Sequence, residues 1–276
     1  MATRKAKGPV AREFMTENVI TVLQDESVAQ AVAKMATHDI GSVVALGQTG
    51  PRGVFTERDL LAKVIALDRD PRTTVVKEVL SATSPAIDAD MKAEEAAATM
   101  IRKKNRLLVV EGGRLGVITP MDNRAVVMDG SRLVGIITPT DVVRVISELN
   151  STFDISKVVS REIVSVSADT PIVAAVKKMG QRRIGSVIVS VGGRPAGIFT
   201  ERDLLKRTLV PEMRLDRPVS EVMSAPLITA DYGAQAKEVA RMMAANRIKR
   251  IPLYQDNQMV AIVTARDLVE AYSAQA

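Results

Sequence analysis

Four short motifs place a threonine hydroxyl three residues before an aspartate carboxylate. Each follows a glycine or alanine and two apolar residues, in residues 53–59 (GVFTERD), 135–141 (GIITPTD), 197–203 (GIFTERD) and 261–267 (AIVTARD). A carboxylate at the start of a helix can accept two hydrogen bonds from a cis-diol, and the threonine hydroxyl can meet the same sugar or an α-phosphate. The spacing also fits a capping box, which stabilises a helix by ~1 kcal/mol without a ligand. Both interpretations stay open and are compatible.

The composition excludes several kinds of catalytic site. The 276 residues contain no Cys and a single His, His38. Disulfides, thiolate nucleophiles, Cys-ligated zinc and iron–sulfur clusters are therefore excluded, and the usual general base is scarce. No constellation of nucleophile, base and metal ligands is evident, so we expect a protein that is not an enzyme. The net charge of +6 suits an anionic partner, while the aromatic content of 3% argues against base stacking on single strands.

An internal repeat sets the organisation. Residues 53–61 (GVFTERDLL) recur as residues 197–205 (GIFTERDLL), 144 positions later, and the register holds without a gap from Asp25, which aligns with Asp169, to Asp59, which aligns with Asp203. Each half holds a second, weaker copy of the unit. Every unit is predicted as β-α-β-β-α, with helices over residues 28–37 and 172–181 and a closing helix that begins at Thr-x-x-Asp. Each first helix has a candidate N-cap: Asp25, Asp90, Asp169 and Asp231, with Pro171 at a first helical position.

The second unit carries a tandem duplication. Residues 105–115 (NRLLVVEGGRL) align with residues 123–133 (NRAVVMDGSRL). The sequence of a hairpin is therefore present twice in tandem, as residues 105–122 and 123–141. Each copy ends in a Gly-led Thr-Pro-x-Asp motif, at 116–122 (GVITPMD) and at 135–141, but only the second precedes a helix-like run, which favours Thr138 and Asp141 for the regular position. The predicted domains are a basic tail at 1–9 and units at 10–67, 76–149, 155–211 and 218–273.

These motifs resemble the CBS domain family, named after cystathionine β-synthase. The resemblance rests on the strand–helix opening, on the Ile-Gly-Ser or Lys-Arg-Ile-Pro-Leu entry to the second strand, and on the terminal Gly-x-x-Thr-x-x-Asp. It implies an α/β (α+β) fold in which units pack in pairs through their sheets, as Bateman modules. Clefts of such pairs commonly bind AMP, ADP, ATP or S-adenosylmethionine. The unit count resembles that of the regulatory subunit of AMP-activated protein kinase.

The resemblance also implies a set of ligand-contacting positions in this sequence. The ribose would meet Thr56, Asp59, Thr138, Asp141, Thr200, Asp203, Thr264 and Asp267. Phosphate would meet cations within the motifs or at the entry to the second strand, namely Arg58, Arg202, Arg266, Arg106 (or its duplicate Arg124), Lys249 and Arg250. The adenine pocket would include Ile20, Thr21, Ile163 and Val164. No metal ligands and no catalytic cofactor are expected.

The leading hypothesis is therefore a non-catalytic sensor that binds an adenine nucleotide and signals to a regulated protein. S-adenosylmethionine is the secondary ligand, and a homodimer through CBS pairs is a further expectation. The alternative is a basic, nucleic-acid-associated protein with vestigial clefts, which predicts a steep salt dependence of binding. The sequence shows no secretory signal and no apolar run of about 18 residues, so a cytoplasmic, membrane-free protein is expected.

Overall fold

The computed structural model describes residues 9–82, 86–101, 108–110, 114–116, 125–129, 132–149 and 153–274. The strands in these residues are β1 (Thr21–Leu23), β2 (Ser42–Gly47), β3 (Gly50–Thr56), β4 (Ser81–Ala82), β5 (Ala86–Asp88), β6 (Leu108–Val110), β7 (Arg114–Gly116), β8 (Ala125–Asp129), β9 (Arg132–Ile137), β10 (Ser165–Ser167), β11 (Ser186–Val191), β12 (Arg194–Thr200), β13 (Ala230–Asp231), β14 (Arg250–Gln255) and β15 (Gln258–Thr264). The helices are α1 (Ala11–Phe14), α2 (Val28–Thr37), α3 (Glu57–Asp59), α4 (Val76–Val79), α5 (Ala93–Ile101), α6 (Pro139–Glu148), α7 (Ile172–Arg182), α8 (Glu201–Asp203), α9 (Ala236–Asn246) and α10 (Ala265–Ser273). The fold is mixed α/β, as expected.

Every repeat builds a small sheet with one pattern. A short first strand pairs in parallel with the second, which forms an antiparallel hairpin with the third, giving β1-β2-β3, β5-β8-β9, β10-β11-β12 and β13-β14-β15. In the first repeat β4 adds antiparallel to β3. The parallel step requires a crossover, which the helix between the first two strands supplies.

The first helix of each repeat buries one apolar stripe, but its N-cap differs from the sequence-based prediction. Helix α2 buries Val28, Ala31 and Met35 and is capped by Ser27, whose hydroxyl accepts a hydrogen bond from the Gln30 N–H. The N-cap assignments to Asp25, Asp90, Asp169 and Asp231 are wrong because those residues lie in the strand or turn before the helix. Pro171 is itself the N-cap residue of α7, and Gln235 that of α9, so the capping position falls closer to the helix than expected.

The closing helices of the first and third repeats contain wide turns. The turns α3 and α8 continue into π-helical segments, Leu60–Val64 and Leu204–Leu209, whereas α6 and α10 are regular α-helices. π-Helical turns are rare and are often found at functional sites. In these two repeats the basic residue paired with the motif aspartate follows it by four residues, whereas in α6 it follows by three.

The sheet of the second repeat is formed by the second of the two duplicated hairpins. Strand β5 pairs with β8 at Ile87↔Val127, and β9 leads through Thr138 directly into α6. The first hairpin supplies β6 and β7, which form a separate two-stranded sheet. The rest of that hairpin, including residues 117–122, lies outside the described residues.

The chain divides into two compact units, each of which combines alternate repeats. One unit contains residues 1–19, 84–161 and 229–276, and the other contains residues 20–83 and 162–228. Each has its own apolar core, one around Met100, Ile146 and Met243 and the other around Met35, Phe55 and Met179. Within each unit the two repeats pack through their helices, α6 on α9 and α10 on α5 in the first unit and α7 on the Leu60–Leu67 segment in the second.

The opening segment of each repeat packs on the sheet of the neighbouring repeat. We define the opening segments as residues 10–19, 75–82, 155–161 and 218–228. One residue of each forms a bridge with a third strand, as Thr16↔Ile136, Ser81↔Val54, Ser160↔Ile262 and Ser224↔Ile198. The first and second repeats exchange segments in this way, as do the third and fourth. The compact units therefore depart from repeat boundaries drawn along the sequence.

This exchange explains the glycine that opens most of the motifs. A Cβ on Gly135 would lie 2.4 Å from Met15 Sδ, and one on Gly197 would lie 2.5 Å from Met223 Sδ. Only glycine leaves room for the methionine of the opening segment. In the fourth repeat the motif begins with Ala261, and the smaller Val159 precedes the bridging Ser160.

Candidate functional site

In all four repeats the motif aspartate closes a capping box with the motif threonine. One carboxylate oxygen, Oδ2, accepts a hydrogen bond from the threonine hydroxyl, at 2.7 Å for Asp59, 2.7 Å for Asp141, 2.6 Å for Asp203 and 2.9 Å for Asp267. The same oxygen accepts the threonine N–H at 2.8–3.0 Å. The capping interpretation is therefore realised throughout, and only the second oxygen, Oδ1, is left for other contacts.

The strands position these motifs. Each threonine is the last extended residue before the closing helix, with φ between −116° and −128°. The strand register sets the entry of the second strand beside it, as Ser42↔Thr56, Ser186↔Thr200 and Arg250↔Thr264. The strand-entry positions that the sequence singles out therefore lie next to the motif threonine.

In three repeats a basic side chain bridges the motif aspartate to the backbone of an opening segment. Lys63 Nζ lies 2.7 Å from Asp59 Oδ1 and donates to the carbonyls of Val79 and Leu80 at 3.0 Å. Arg144 lies 3.3 Å from Asp141 Oδ1 and donates to the Phe14 carbonyl at 2.8 Å. We call these three bridging side chains, Lys63, Arg144 and Arg207, the cation clamps.

The third clamp follows the same pattern. Arg207 lies 3.5 Å from Asp203 Oδ1 and donates to the Met223 carbonyl at 2.7 Å. Hydroxyls of the opening segments donate hydrogen bonds to the same carboxylate oxygens. Thr16 donates to Asp141 Oδ1 at 3.2 Å, and Ser224 donates to Asp203 Oδ1 at 2.9 Å. Asp59, Asp141 and Asp203 are accordingly buried and bonded through both oxygens.

The fourth repeat departs from this pattern. Glu270, three residues after Asp267, stands where the second repeat has Arg144. Over the described part of the chain, no hydrogen bond or ion pair reaches Asp267 Oδ1, and the Ser160 hydroxyl makes no hydrogen bond. Asp267 is also only half-buried, whereas the other three motif aspartates are buried.

Burial affects the acidity of three of these carboxyls. It raises the pKa of Asp141, Asp203 and Asp267 above the usual value, and the hydrogen bonds from the motif threonine oppose this rise. For Asp267 the neighbouring Glu270 adds to the rise in pKa and Arg266 opposes it, while Arg144 and Arg207 oppose the rise in pKa of Asp141 and Asp203.

Two of the predicted phosphate ligands are held in ion pairs. Arg58 Nε lies 3.2 Å from Glu201 Oε1, and Arg202 Nε lies 3.2 Å from Glu57 Oε1, which joins the first and third repeats reciprocally. Asp39 also pairs with Arg202 at 3.4 Å and with Lys206. Arg266, the matching cation of the fourth repeat, has no ion pair with a described residue.

The remaining predicted contacts are brought near the motifs to different degrees. Arg250 lies beside Thr264 through the strand register, and the Lys249 carbonyl accepts the Ala265 N–H at 2.8 Å. Ile20 and Thr21 lie at the start of β1, and Ile163 and Val164 just before β10, so the middle strand separates them from the motif. Arg106 and Arg124 lie outside the described residues.

The clamps and the opening-segment hydroxyls were not anticipated from the sequence. A signal exists for the hydroxyls, because each opening segment has Ser or Thr after an apolar residue, in Met15-Thr16, Leu80-Ser81, Val159-Ser160 and Met223-Ser224. In the part of the chain that the structure describes, no group of His, Cys, Asp and Glu could hold a metal ion. No helix among those residues is long and apolar enough to span a membrane.

The fold and the site define an α/β protein of four repeats, each with a capped Thr/Asp motif at the start of its closing helix. A family model described as "CBS domain" matches residues 11–66, 76–122, 155–209 and 219–274. The chain belongs to the CBS domain family, with its four domains in two tandem pairs. In the second domain the family model ends at residue 122, on the first hairpin, whereas the sheet uses the second hairpin.

Similar proteins agree with this assignment. The uncharacterized protein MJ1404 of Methanocaldococcus jannaschii is 24% identical over 94% of this chain and 61% of its own length, and the CBS domain-containing protein YhcV of Bacillus subtilis is 32% identical over 39% of this chain and 76% of its own. This chain thus spans about three fifths of the first relative. The crystal structure of protein MJ1225 from Methanocaldococcus jannaschii has a TM-score of 0.72 at 18% identity, covering 95% of this chain and 99% of that chain.

Proposed function

We propose that this protein is a non-catalytic regulatory protein that binds an adenine nucleotide, AMP, ADP or ATP, and signals to a partner protein. CBS pairs generally act as regulatory or sensor modules and often bind adenine nucleotides. The observation that carries the proposal is the motif geometry: a threonine and a carboxylate converge at the start of each closing helix, beside the entry of the second strand. This arrangement suits a ribose diol with its phosphate nearby.

The charge of the described site supports a phosphorylated ligand. Arg266 stands next to Asp267, and Arg250 lies opposite Thr264, so the fourth repeat offers a carboxylate and two cations around one helix start. Carboxylates accept the hydroxyls of a sugar, whereas guanidinium groups bind phosphate. A nucleotide needs both kinds of group, and a simple inorganic anion needs only the second.

The same proposal includes a regulated partner protein, the absence of catalysis and a cytoplasmic location. A non-catalytic role is supported by the composition, which includes no Cys and a single His. Because the chain spans only about three fifths of its relative MJ1404, an attached domain is one form the regulated partner could take. A homodimer through CBS pairs is another proposed assembly.

Calorimetric titration of the full chain tests the proposal. We expect AMP, ADP or ATP to bind with a Kd below about 1 mM. S-adenosylmethionine should bind more weakly. GMP is the matched control. Failure of all the adenosine compounds to bind below 1 mM would contradict the proposal. In that case, duplex DNA binding that weakens steeply with salt would support the alternative, a nucleic-acid-associated protein, which the net charge of +6 favours.

A further inference from the structure

The four opening segments are not attached equally to their neighbouring repeats. Three of them begin with a backbone bridge to the residue before a first helix, and these bridges are Val10↔Lys92, Val75↔Ser27 and Pro218↔Pro171. The next two N–H groups of each of these segments donate to carbonyls of the same strand–helix connection, at 2.7–3.1 Å. The donors are Ala11 and Arg12, Val76 and Lys77, and Val219 and Ser220. Each of these three segments is thus attached both at its start and at its later bridge to a third strand.

The third opening segment (residues 155–161) lacks the attachment at its start. Among the described residues, no bridge joins this start to the fourth repeat, and the Ser156 N–H donates instead to Asp154 Oδ1 at 2.8 Å. The strand register shows that the matching carbonyls of the fourth repeat are those of Tyr232 and Ala234, and neither accepts a hydrogen bond from this segment. Asp154 therefore closes a local turn where the other segments are bonded to the neighbouring repeat.

The middle of the third opening segment is also held less tightly. In the other three segments a cation clamp donates to the carbonyl of one apolar residue, whose side chain is at most 5% exposed; these residues are Phe14, Val79 and Val222. The matching residue, Val158, is only partly buried, and no side chain in the described part of the chain donates to its carbonyl. Glu270, which has no N–H or charge to offer a carbonyl, stands where the second repeat has Arg144.

The remaining attachments of the third opening segment are few. Ile155 is buried at its start, and Ser160 and Ile262 exchange two backbone hydrogen bonds of 3.1 and 2.8 Å near its end. Arg161 adds a solvent-exposed hydrogen bond to the Tyr232 hydroxyl at 2.7 Å. Release of residues 156–161 therefore breaks one bridge and one exposed side-chain contact, whereas each of the other segments would also lose a second bridge and a clamp.

We infer that the third opening segment is a strap that opens locally while the other three stay bound, which gives this chain a two-state element for regulation. Local opening is easiest where few backbone hydrogen bonds and few buried apolar contacts are lost. In the open state the N–H and carbonyl of Ile262 are unpaired at the edge of β15, and Val158 leaves the core. A partner that binds one of the two states shifts their populations. This inference goes beyond the proposed function and does not depend on nucleotide binding.

Hydrogen exchange of the full chain without nucleotide, resolved by residue with NMR, tests the inference. We expect the Ser160 and Ile262 amides to exchange at least about thirtyfold faster than the Thr16 and Ile136 amides of the matching bridge, after correction for intrinsic rates. The matching bridge of the fourth opening segment, at Ser224, is a second reference. The inference is overturned if Ser160 and Ile262 are as well protected as these references, or if either of the other bridges opens more readily.

Supplying or removing a clamp gives a matched pair of variants. Glu270→Arg should slow exchange at Ser160 and Ile262 about tenfold and leave exchange at Thr16 unchanged. Arg144→Ala, which removes the clamp of the second repeat, should speed exchange at Thr16 and leave Ser160 unchanged, and it provides the test if Glu270→Arg does not fold. Equal changes at Ser160 and Thr16 in either variant would show that exchange follows global unfolding and would contradict a separate opening of the strap.

Discussion

Arg58 of the first repeat and Glu201 of the third form an ion pair at 3.2 Å, and Arg202 and Glu57 form its mirror image at the same distance. The glutamates are almost buried, with 10% and 7% of their side chains exposed, while the arginines keep 30%. The two ERD segments, residues 57–59 and 201–203, are thus joined by two reciprocal ion pairs. Their arginines, predicted as phosphate ligands, are engaged within the compact unit itself.

Neutralising these glutamates should destabilise the protein. Glu57→Gln combined with Glu201→Gln removes the ion-pair partner of the partly buried Arg58 and leaves Arg202 with only its longer pair to Asp39, and we expect a loss of about 2 kcal/mol in the free energy of unfolding. Urea denaturation measures this loss. The control is Asp68→Asn, which breaks an exposed pair with Lys177 and should change stability little. Equal effects of the two changes would show that the reciprocal pairs contribute nothing special.

Helix packing in the same unit should depend on Gly180. A Cβ at this position would lie 2.9 Å from Ala66 Cβ, so Gly180→Ala requires the two helical segments to separate. We expect a net loss of about 1 kcal/mol, although alanine has the better helix propensity. Thermal melting tests this, with Gly233→Ala as the control because no atom lies within 4 Å of its added Cβ. A Gly180→Ala variant that melts above the wild type would contradict the packing described.

Supplying the missing clamp should stabilise the fourth repeat. Glu270→Arg places a cation where the second repeat has Arg144 and removes the repulsion with Asp267. We expect a gain of about 0.5–1 kcal/mol. Glu270→Gln is the matched control, since it removes the repulsion without adding a cation. If the two variants are equally stable in urea, the arginine forms no clamp in this repeat.

The raised pKa of Asp267 predicts a pH effect with a definite sign. A carboxyl whose folded-state pKa lies above its unfolded value of 3.8 adds stability below that value and loses the contribution as pH rises through the folded pKa. Wild type should therefore lose stability relative to Asp267→Asn as the pH rises from about 4. Melting temperatures of both proteins across pH 3.5–7 measure the difference.

Asp25 provides a control of opposite sign. Its hydrogen bond with Lys77 lowers the pKa of Asp25, so its contribution is present above pH 3.8 and is lost as the pH falls. The stability of the wild type relative to Asp25→Asn should accordingly increase as the pH rises. A difference between wild type and Asp267→Asn that does not change with pH would contradict the burial-driven shift.

The repeat and the motif were predictable because both depend on local chemistry. Helix α2 spans Val28–Thr37, as its apolar spacing predicts, and each closing helix begins at the Thr-x-x-Asp motif. The family membership followed from the same residues. The N-caps were misassigned because several polar residues precede each helix, and only the backbone geometry decides which one caps it.

The long-range contacts around the motifs could not be predicted, because the two partners of each contact are remote in the chain. Thr16 meets Asp141 across 125 residues, and Arg58 meets Glu201 across 143. The first contact depends on the exchange of opening segments, and the second depends on which repeats share a compact unit. A single sequence reports the residue types but not these pairings, so four matching motifs gave no sign of their unequal environments.

A crystal structure of the full chain with AMP tests the central claim most directly, namely that this protein binds adenine nucleotides at its Thr/Asp motifs. We predict a bound AMP whose ribose hydroxyls lie within about 3.2 Å of a motif aspartate. The claim is contradicted if AMP at saturating concentration is absent from every motif, or is bound only where its ribose touches none of them.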